Sequence, residues 1–389
     1  MSTANPPPRA VPVGMALPGL VIAVAMIGDT LLYVVLPLYH QDFGISLAMV
    51  GVLLSLNRWI RLLANSGVAA IGERVGPHAL MVMAAIGSVL STTLYGLVEN
   101  DAVQVAARIL WGISYASLNL STLAYAVSDR TNAGKRVGAS RAAIGIVQAV
   151  SLVGGAWIAL EVGPRSVFLI FGGLTLISLG AALLLPRLPR EIADRKPFRL
   201  PIPHRLETWG FMLGFTSDGV FLLTLSFLMK DSITWVAPVL ATAILLALRW
   251  LVEITTGPLG GWISDRFGSR RISIVNGMLL VAGFALIALD HELVGALVVV
   301  MTRGMFNTLI PVLVLERGKS SVLSSQASYS TWRDFGAALG PLSAPWLFLN
   351  VPQMPLYAAL AAALGVSAYF CLVRATSLPD RRPPAGPCS

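Results

Sequence analysis

Two aspartates, Asp29 and Asp218, stand 189 residues apart, each near the middle of a long apolar stretch. A carboxylate buried among aliphatic side chains is poorly solvated when charged. It can therefore take up and release a proton as its surroundings change. The alternative is a permanent ion pair with an arginine of the same half of the chain. Arg58, Arg61, Arg108, Arg249 and Arg303 occur in similarly apolar settings. Glu253 follows Arg249 by four residues, the spacing at which two side chains meet on one helix face, so these two are expected to pair. Asn57, Arg58, Arg61 and Asn65 recur at three- to four-residue spacing and form a polar stripe on one face of a helix. From that stripe Arg58 is expected to reach Asp29. Five basic groups against the three acids Asp29, Asp218 and Glu253 leave a surplus of two positive charges. Unpaired charge in a low-dielectric interior is costly unless a counter-ion joins it, and a guanidinium fork suits carboxylates and phosphates. The chemistry expected is binding of an anionic or zwitterionic solute, with proton coupling at Asp29 and Asp218. Tyr33, Tyr115, Asn119, Gln148, Asn307 and Trp332 are further candidates to line such a site, and each is also ordinary glue between helices.

The elements that position these groups follow from composition. Of 389 residues, 56% are hydrophobic and only 12% charged, and mean hydropathy is +0.75. A soluble domain averages about 25% charged residues, so a soluble enzyme, a disordered chain and a nucleic-acid module are excluded as readings of the whole chain. A membrane span needs about 20 mostly apolar residues. Twelve such runs are present: 15–39, 46–71, 78–98, 102–127, 138–160, 166–185, 207–228, 235–262, 271–289, 292–315, 327–349 and 354–374. With the N-terminus placed in the cytoplasm, 18 of the 28 Lys and Arg fall in cytoplasmic segments and only Arg165 and Lys230 in outer loops. That asymmetry places both termini inside. The net charge of +9 thus reads as topogenic. Cys371 and Cys388 form neither a disulfide framework nor a metal-ligand spacing, the four histidines are scattered, and no phosphate-binding loop or nucleophile–histidine–acid set appears.

The two halves repeat. Arg58-Trp59 recurs as Arg249-Trp250 at an offset of 191, Glu73-Arg74-Val75-Gly76 as Asp265-Arg266-Phe267-Gly268 at 192, and Arg141 as Arg333 at 192. Two like six-helix halves suggest a transporter with its site between them, near the bilayer midplane.

The segment from Gly261 to Arg271, GWISDRFGSRR, resembles the G-x-x-x-D-R-x-G-x-R-R loop of the major facilitator superfamily. The resemblance covers about residues 15–375. The first-half copy is degraded, with Ala69, Glu73, Pro77 and His78 at the signature positions. Arg108 to Gly112, RILWG, is similar to an R-x-x-x-G signature of proton-coupled members. In run five Gly145 and Gly154 fit the exporters' glycine motif, whereas Ala149, Val150 and Val153 depart from it. Run eleven carries Gly336, Gly340 and Pro341 in G-x-x-x-G-P order. The resemblance implies that runs one and seven line the cavity and that Arg108 tunes protonation of a nearby carboxylate.

The loop residues Glu73, Arg74, Gly261, Asp265, Arg266, Gly268, Arg270 and Arg271 are expected to form an inner gate. Arg141 and Arg333, at the starts of runs five and eleven, are the expected partners of Glu73 and Asp265. The alternative role of the loop arginines is to hold the loop inside. The expected fold is an all-α polytopic membrane protein with two six-helix bundles. Its parts are a cytoplasmic tail (1–14), an N-terminal bundle (15–185), a cytoplasmic linker (186–206), a C-terminal bundle (207–374) and a C-terminal tail (375–389). The expected activity is secondary active transport in the cell (inner) membrane: proton-coupled export of a small organic molecule. Uptake of an organic anion by proton symport and a non-transporting sensor remain open. The expected partners are the solute, protons and lipid, with no nucleic acid, no cofactor and no metal; the expected chain is monomeric and not an enzyme.

Overall fold

The computed structural model describes residues 16–128, 133–188, 202–232, 235–316 and 322–373. The tails 1–14 and 375–389 and most of the 186–206 connection lie outside the described residues. Among the described residues the chain is helical, without a strand. The helical segments join into twelve rods: α1 (Leu17–Phe43), α2 (Leu47–Val75), α3 (Pro77–Leu97), α4 (Asp101–Val127), α5 (Ala133–Val162), α6 (Ser166–Leu183), α7 (Arg205–Lys230), α8 (Pro238–Phe267), α9 (Ser269–Ala288), α10 (Glu292–Glu316), α11 (Val322–Asn350) and α12 (Gln353–Val373). Nine of them are long and apolar enough to cross a bilayer, counted over the described residues. The other three, α4, α10 and α11, carry Arg108, Arg303 and the Arg333–Asp334 pair.

Local chemistry sets the ends. Ser46 opens α2 by accepting from the Met49 amide at 3.2 Å, and Asn100 opens α4 by accepting from Ala102 and Val103. Such caps satisfy amides that have no partner within the helix. The α2–α3 and α8–α9 turns are made by Gly76 (φ 85°) and Gly268 (φ 84°), 192 residues apart, so the repeat recurs in the backbone. Positive φ is open to glycine at little cost.

Two rods are irregular where their carboxylates sit. α1 is interrupted at Met26, between Leu17–Ala25 and Ile27–Tyr39, three residues before Asp29. α7 contains a π turn, Thr216–Val220, with Asp218 at its centre. π turns insert one residue into a helix and re-aim its side chains.

The halves meet where α2 packs on α11, α5 on α8 and α1 on α7. At the α2–α11 seam Gly51 lies against the Pro341 carbonyl, and Ser55 donates to the Ala338 carbonyl at 2.6 Å. The core runs through both halves, from Leu31, Leu152 and Phe168 to Trp209, Leu223 and Phe284. Leu63, Val150, Met278 and Trp346 are each at least 64% exposed. So large an apolar exterior suits lipid and not water.

Candidate functional site

In the first half Asp29 on α1 accepts a charged hydrogen bond from Arg108 on α4. Arg108 is fully buried. Its Nε donates to the Leu53 carbonyl of α2 at 2.8 Å and its Nη2 reaches the Tyr33 hydroxyl at 3.4 Å. One guanidinium thus fastens α1, α2 and α4. The expectation that Arg58 reaches Asp29 is corrected: Arg108 holds that carboxylate, and Arg58 turns the other way.

The second half repeats the arrangement on α7 and α10. Arg303 grips Asp218 with both edges of its fork, Nε to Oδ1 at 3.0 Å and Nη2 to Oδ2 at 2.5 Å. Its Nη1 donates to Asn307 at 2.8 Å, and Asn307 donates to Glu253 at 2.7 Å. Arg249 lies 3.3 Å from Asp218, and Glu253 lies 3.9 Å from Arg141. The expected Arg249–Glu253 pair is therefore corrected. A carboxylate on a neighbouring helix draws Arg249 away from the one on its own helix. A cavity of about 10 Å³ beside Ser217, Arg249 and Arg303 has room for about one water. Ser217 Oγ is buried there without a hydrogen-bond partner.

The third cluster joins the halves. Asp334 on α11 accepts from Arg58 Nη1 at 3.0 Å, Arg61 Nη2 at 2.7 Å and Arg333 Nη2 at 3.2 Å. Arg61 also lies over the Tyr115 ring, 4.6 Å from its centroid. Asp334 is absent from the sequence-based set. It sits within run eleven, where a count of every charged residue inside the runs would have found it. Adding Arg333 and Asp334 makes six basic groups against four acidic, so the surplus of two positive charges is unchanged.

The remaining candidates separate. Tyr33 and Asn57 are buried beside these clusters, Asn57 Oδ1 without a partner. Gln148 is fully buried, donating to the Ala23 carbonyl at 2.7 Å and accepting from Thr30 at 2.5 Å; it straps α5 to α1. Trp332 packs edge-on against Phe335 and Phe211, and Trp59 joins the same aromatic group. Asn119 is exposed.

Among the gating candidates, Arg74, Arg266 and Arg271 are exposed. Arg270 donates to the carbonyls of Leu372 and Val373 at 2.9–3.1 Å, tying the start of α9 to the end of α12. The surroundings of Gly261 and Asp265 lie outside the described residues. The expected partnership of Arg141 with Glu73 is corrected, and that of Arg333 with Asp265 falls on a side chain outside the described residues. Arg141 faces Glu253 across the seam between α5 and α8, and Arg333 bonds its neighbour Asp334 on its own helix.

Similarity to known proteins extends along most of this architecture. The sequence profile described as Major Facilitator Superfamily matches residues 19–341. The probable vesicular acetylcholine transporter-B of Danio rerio is 26% identical over 270 residues, 64% of this chain and 54% of that protein. The multidrug resistance protein MdtH of Cronobacter sakazakii is 43% identical over 94 residues, 24% of this chain and 21% of its own. The chain thus spans about half the length of the first of these relatives and about a fifth of the second. Among solved structures, the nucleoside transporter NupG superposes with a TM-score of 0.72 at 14% identity, covering 92% of this chain and 98% of its own. The human organic anion transporter MFSD10 gives 0.64 at 20% identity, covering 94% of this chain and 100% of its own. These likenesses carry the fold. The apolar rods and the family match make this a multi-pass membrane protein, and the chain belongs to the Major Facilitator Superfamily.

Proposed function

We infer that the chain is a secondary active transporter that moves a small organic anion by alternating access, coupled to protons and directed outward. One observation carries the reading: three arginine–carboxylate clusters lie inside the helices and between the halves, and their six arginines face four carboxylates, Asp29, Asp218, Glu253 and Asp334, leaving two more positive charges than negative ones. Charged groups at bilayer depth mark transport pathways, and an arginine surplus is stabilised by an incoming anion. The relative named as a multidrug resistance protein and the fold neighbour named as an organic anion transporter agree with export and with an anionic solute. In this reading residues 15–185 and 207–374 are the moving bundles, 186–206 is a cytoplasmic linker, and the protein works as a monomer in the inner membrane with both termini inside.

The test is transport by the purified chain in proteoliposomes under an imposed pH gradient, with labelled organic acids and cationic drugs offered in parallel. An anion moving against an opposed proton flux, lost in Asp29→Asn, is the expected result. Movement of cations alone would sink the reading.

A second reading, anion–proton symport, has its own support. Each membrane carboxylate is held by arginine. An anion that takes over an arginine leaves a carboxylate that a proton can neutralise, so anion and proton would bind together. Co-directional fluxes in the same vesicles decide for symport.

A further inference from the structure

We propose that Asp334 is a built-in competitor for the transported anion. Its carboxylate occupies the place on Arg58 and Arg61 that a carboxylate or phosphate of the solute takes, so that anion binding unfastens α2 from α11. This deepens the anionic-solute reading above and rests on it.

The geometry supplies the exchange. Three guanidinium groups converge on one carboxylate: Arg58 and Arg333 on Oδ1 at 3.0 and 3.2 Å, and Arg61 on Oδ2 at 2.7 Å. Arg58 and Arg61 belong to the first half, Arg333 and Asp334 to the second. If α2 draws back, Asp334 keeps Arg333 on its own helix and its charge is not orphaned. Arg58 and Arg61 are then two positive charges on one helix face, each with a five-donor guanidinium. A solute carboxylate or phosphate replaces like with like, so the severe penalty of leaving a buried charge alone is avoided. Arg61 stays aimed because the Tyr115 ring supports it from the α4 side.

Asp29, Asp218 and Glu253 do not combine these properties. Asp29 is held by Arg108, and Asp218 by Arg303 and Arg249, each within its own half; displacing either opens no boundary. Glu253 does face the other half, but its contact with Arg141 is 3.9 Å long and the Arg141 side chain is 67% exposed. Arg58, Arg61 and Asp334 are only 10–17% exposed. The tie is dry enough for its charges to matter and open enough to admit a small ion.

The experiment uses the full chain in detergent, with Cys371 and Cys388 replaced by Ser and spin labels on cysteines introduced at Ala64 of α2 and Ser330 of α11. Succinate, benzoate and inorganic phosphate are the probes, with choline as the cationic control. At least one anion is expected to bind the wild type and lengthen the label separation. Asp334→Asn is expected to bind that anion about tenfold tighter, within the range typical of coupled sites, and to show the longer separation before any anion is added. Asp334→Glu, which keeps the charge, should stay within twofold of wild type. If Asp334→Asn does not fold, the wild-type separation decides alone. An anion that binds through Arg58 and Arg61 yet leaves the separation unmoved overturns the proposal while the anionic-solute reading stands. So does unchanged affinity in Asp334→Asn. Binding of choline and of no anion overturns both.

Discussion

Arg61 and Glu253 stand 192 residues apart, at equivalent places in the two halves, and carry opposite charges. Each faces a partner of opposite sign in the other half: Asp334 at 2.7 Å from Arg61, and Arg141 at 3.9 Å from Glu253. The repeat kept Arg141 and Arg333 at matching positions, whereas Asp334 has Ala142 as its counterpart. Attraction across the boundary is therefore retained at both seams with the signs redistributed.

The two seams should differ in strength. The Arg141 side chain is 67% exposed and that of Arg61 is 17% exposed. Exposed ion pairs contribute about 0–1 kcal/mol, so Arg141→Gln is expected to leave the melting temperature in detergent nearly unchanged. Arg61→Gln removes a short buried pair and the stack on Tyr115, and should lower it clearly. Equal shifts for the two variants would show that burial is not what separates the seams.

Arg108 is expected to be worth more as one half of a pair than as a charge. Removing one member of a buried pair costs about 3–5 kcal/mol, whereas replacing both members is far milder. Arg108→Gln should therefore destabilise strongly, and Asp29→Asn added to it should recover part of the loss. Thermal unfolding of the single and double variants measures this. Additive losses would mean that the Asp29 contact contributes nothing.

At Asp218 the two arginines are predicted to be unequal. Arg303 makes a two-pronged contact at 2.5 and 3.0 Å, and Arg249 a single one at 3.3 Å. Lysine keeps the charge and loses the fork, and a charged hydrogen bond contributes about 1.5–3 kcal/mol. Arg303→Lys should cut solute flux in proteoliposomes at least roughly tenfold, and Arg249→Lys should do so much less. The reverse order would count against the bidentate grip as the important contact.

Gly76 and Gly268 offer a backbone test. Both sit at positive φ with extended ψ, 161° and 123°, a region that L-residues rarely adopt and that costs them about 1–3 kcal/mol. Alanine at either position should lower thermal stability by about that much. Gly154 has nothing within 4 Å of an added Cβ, and Gly154→Ala should be neutral or slightly stabilising. Stability curves of the three variants check the contrast.

How far the chain could be read from its residues is clearest at particular places. Run two was expected over 46–71 and the helix is Leu47–Val75; run ten was expected over 292–315 and the helix is Glu292–Glu316. A bilayer requires about 20 mostly apolar residues of each span, and that constraint is written in composition. The helices of runs five and eleven begin at Ala133 and Val322, five residues before the apolar stretches at 138 and 327, because they continue into polar sequence. Asp29, Asp218, Arg108 and Arg303 were legible as charges out of place. Their partners were not, since helical spacing reports neighbours on one helix and says nothing about which helix lies opposite. The Arg249–Glu253 spacing was sound local geometry overruled by Asp218 across the gap. The π turn at Thr216–Val220 is formed by residues that an ordinary helix would also accept.

The surplus of two positive charges also makes the resting protein electrically sensitive. Moving one elementary charge fully across 100 mV is worth about 2.3 kcal/mol. In the proposed alternating-access cycle, a bundle that carries unneutralised arginines partway through the bilayer feels a fraction of that voltage each time it reorients. Loaded with a doubly charged anion, the same bundle is close to neutral and indifferent to voltage. If the chain is the anion carrier proposed above, the return stroke of the empty protein, rather than the delivery stroke, is the step that a membrane potential drives or stalls, and it should show as a transient charge movement that saturating anion suppresses.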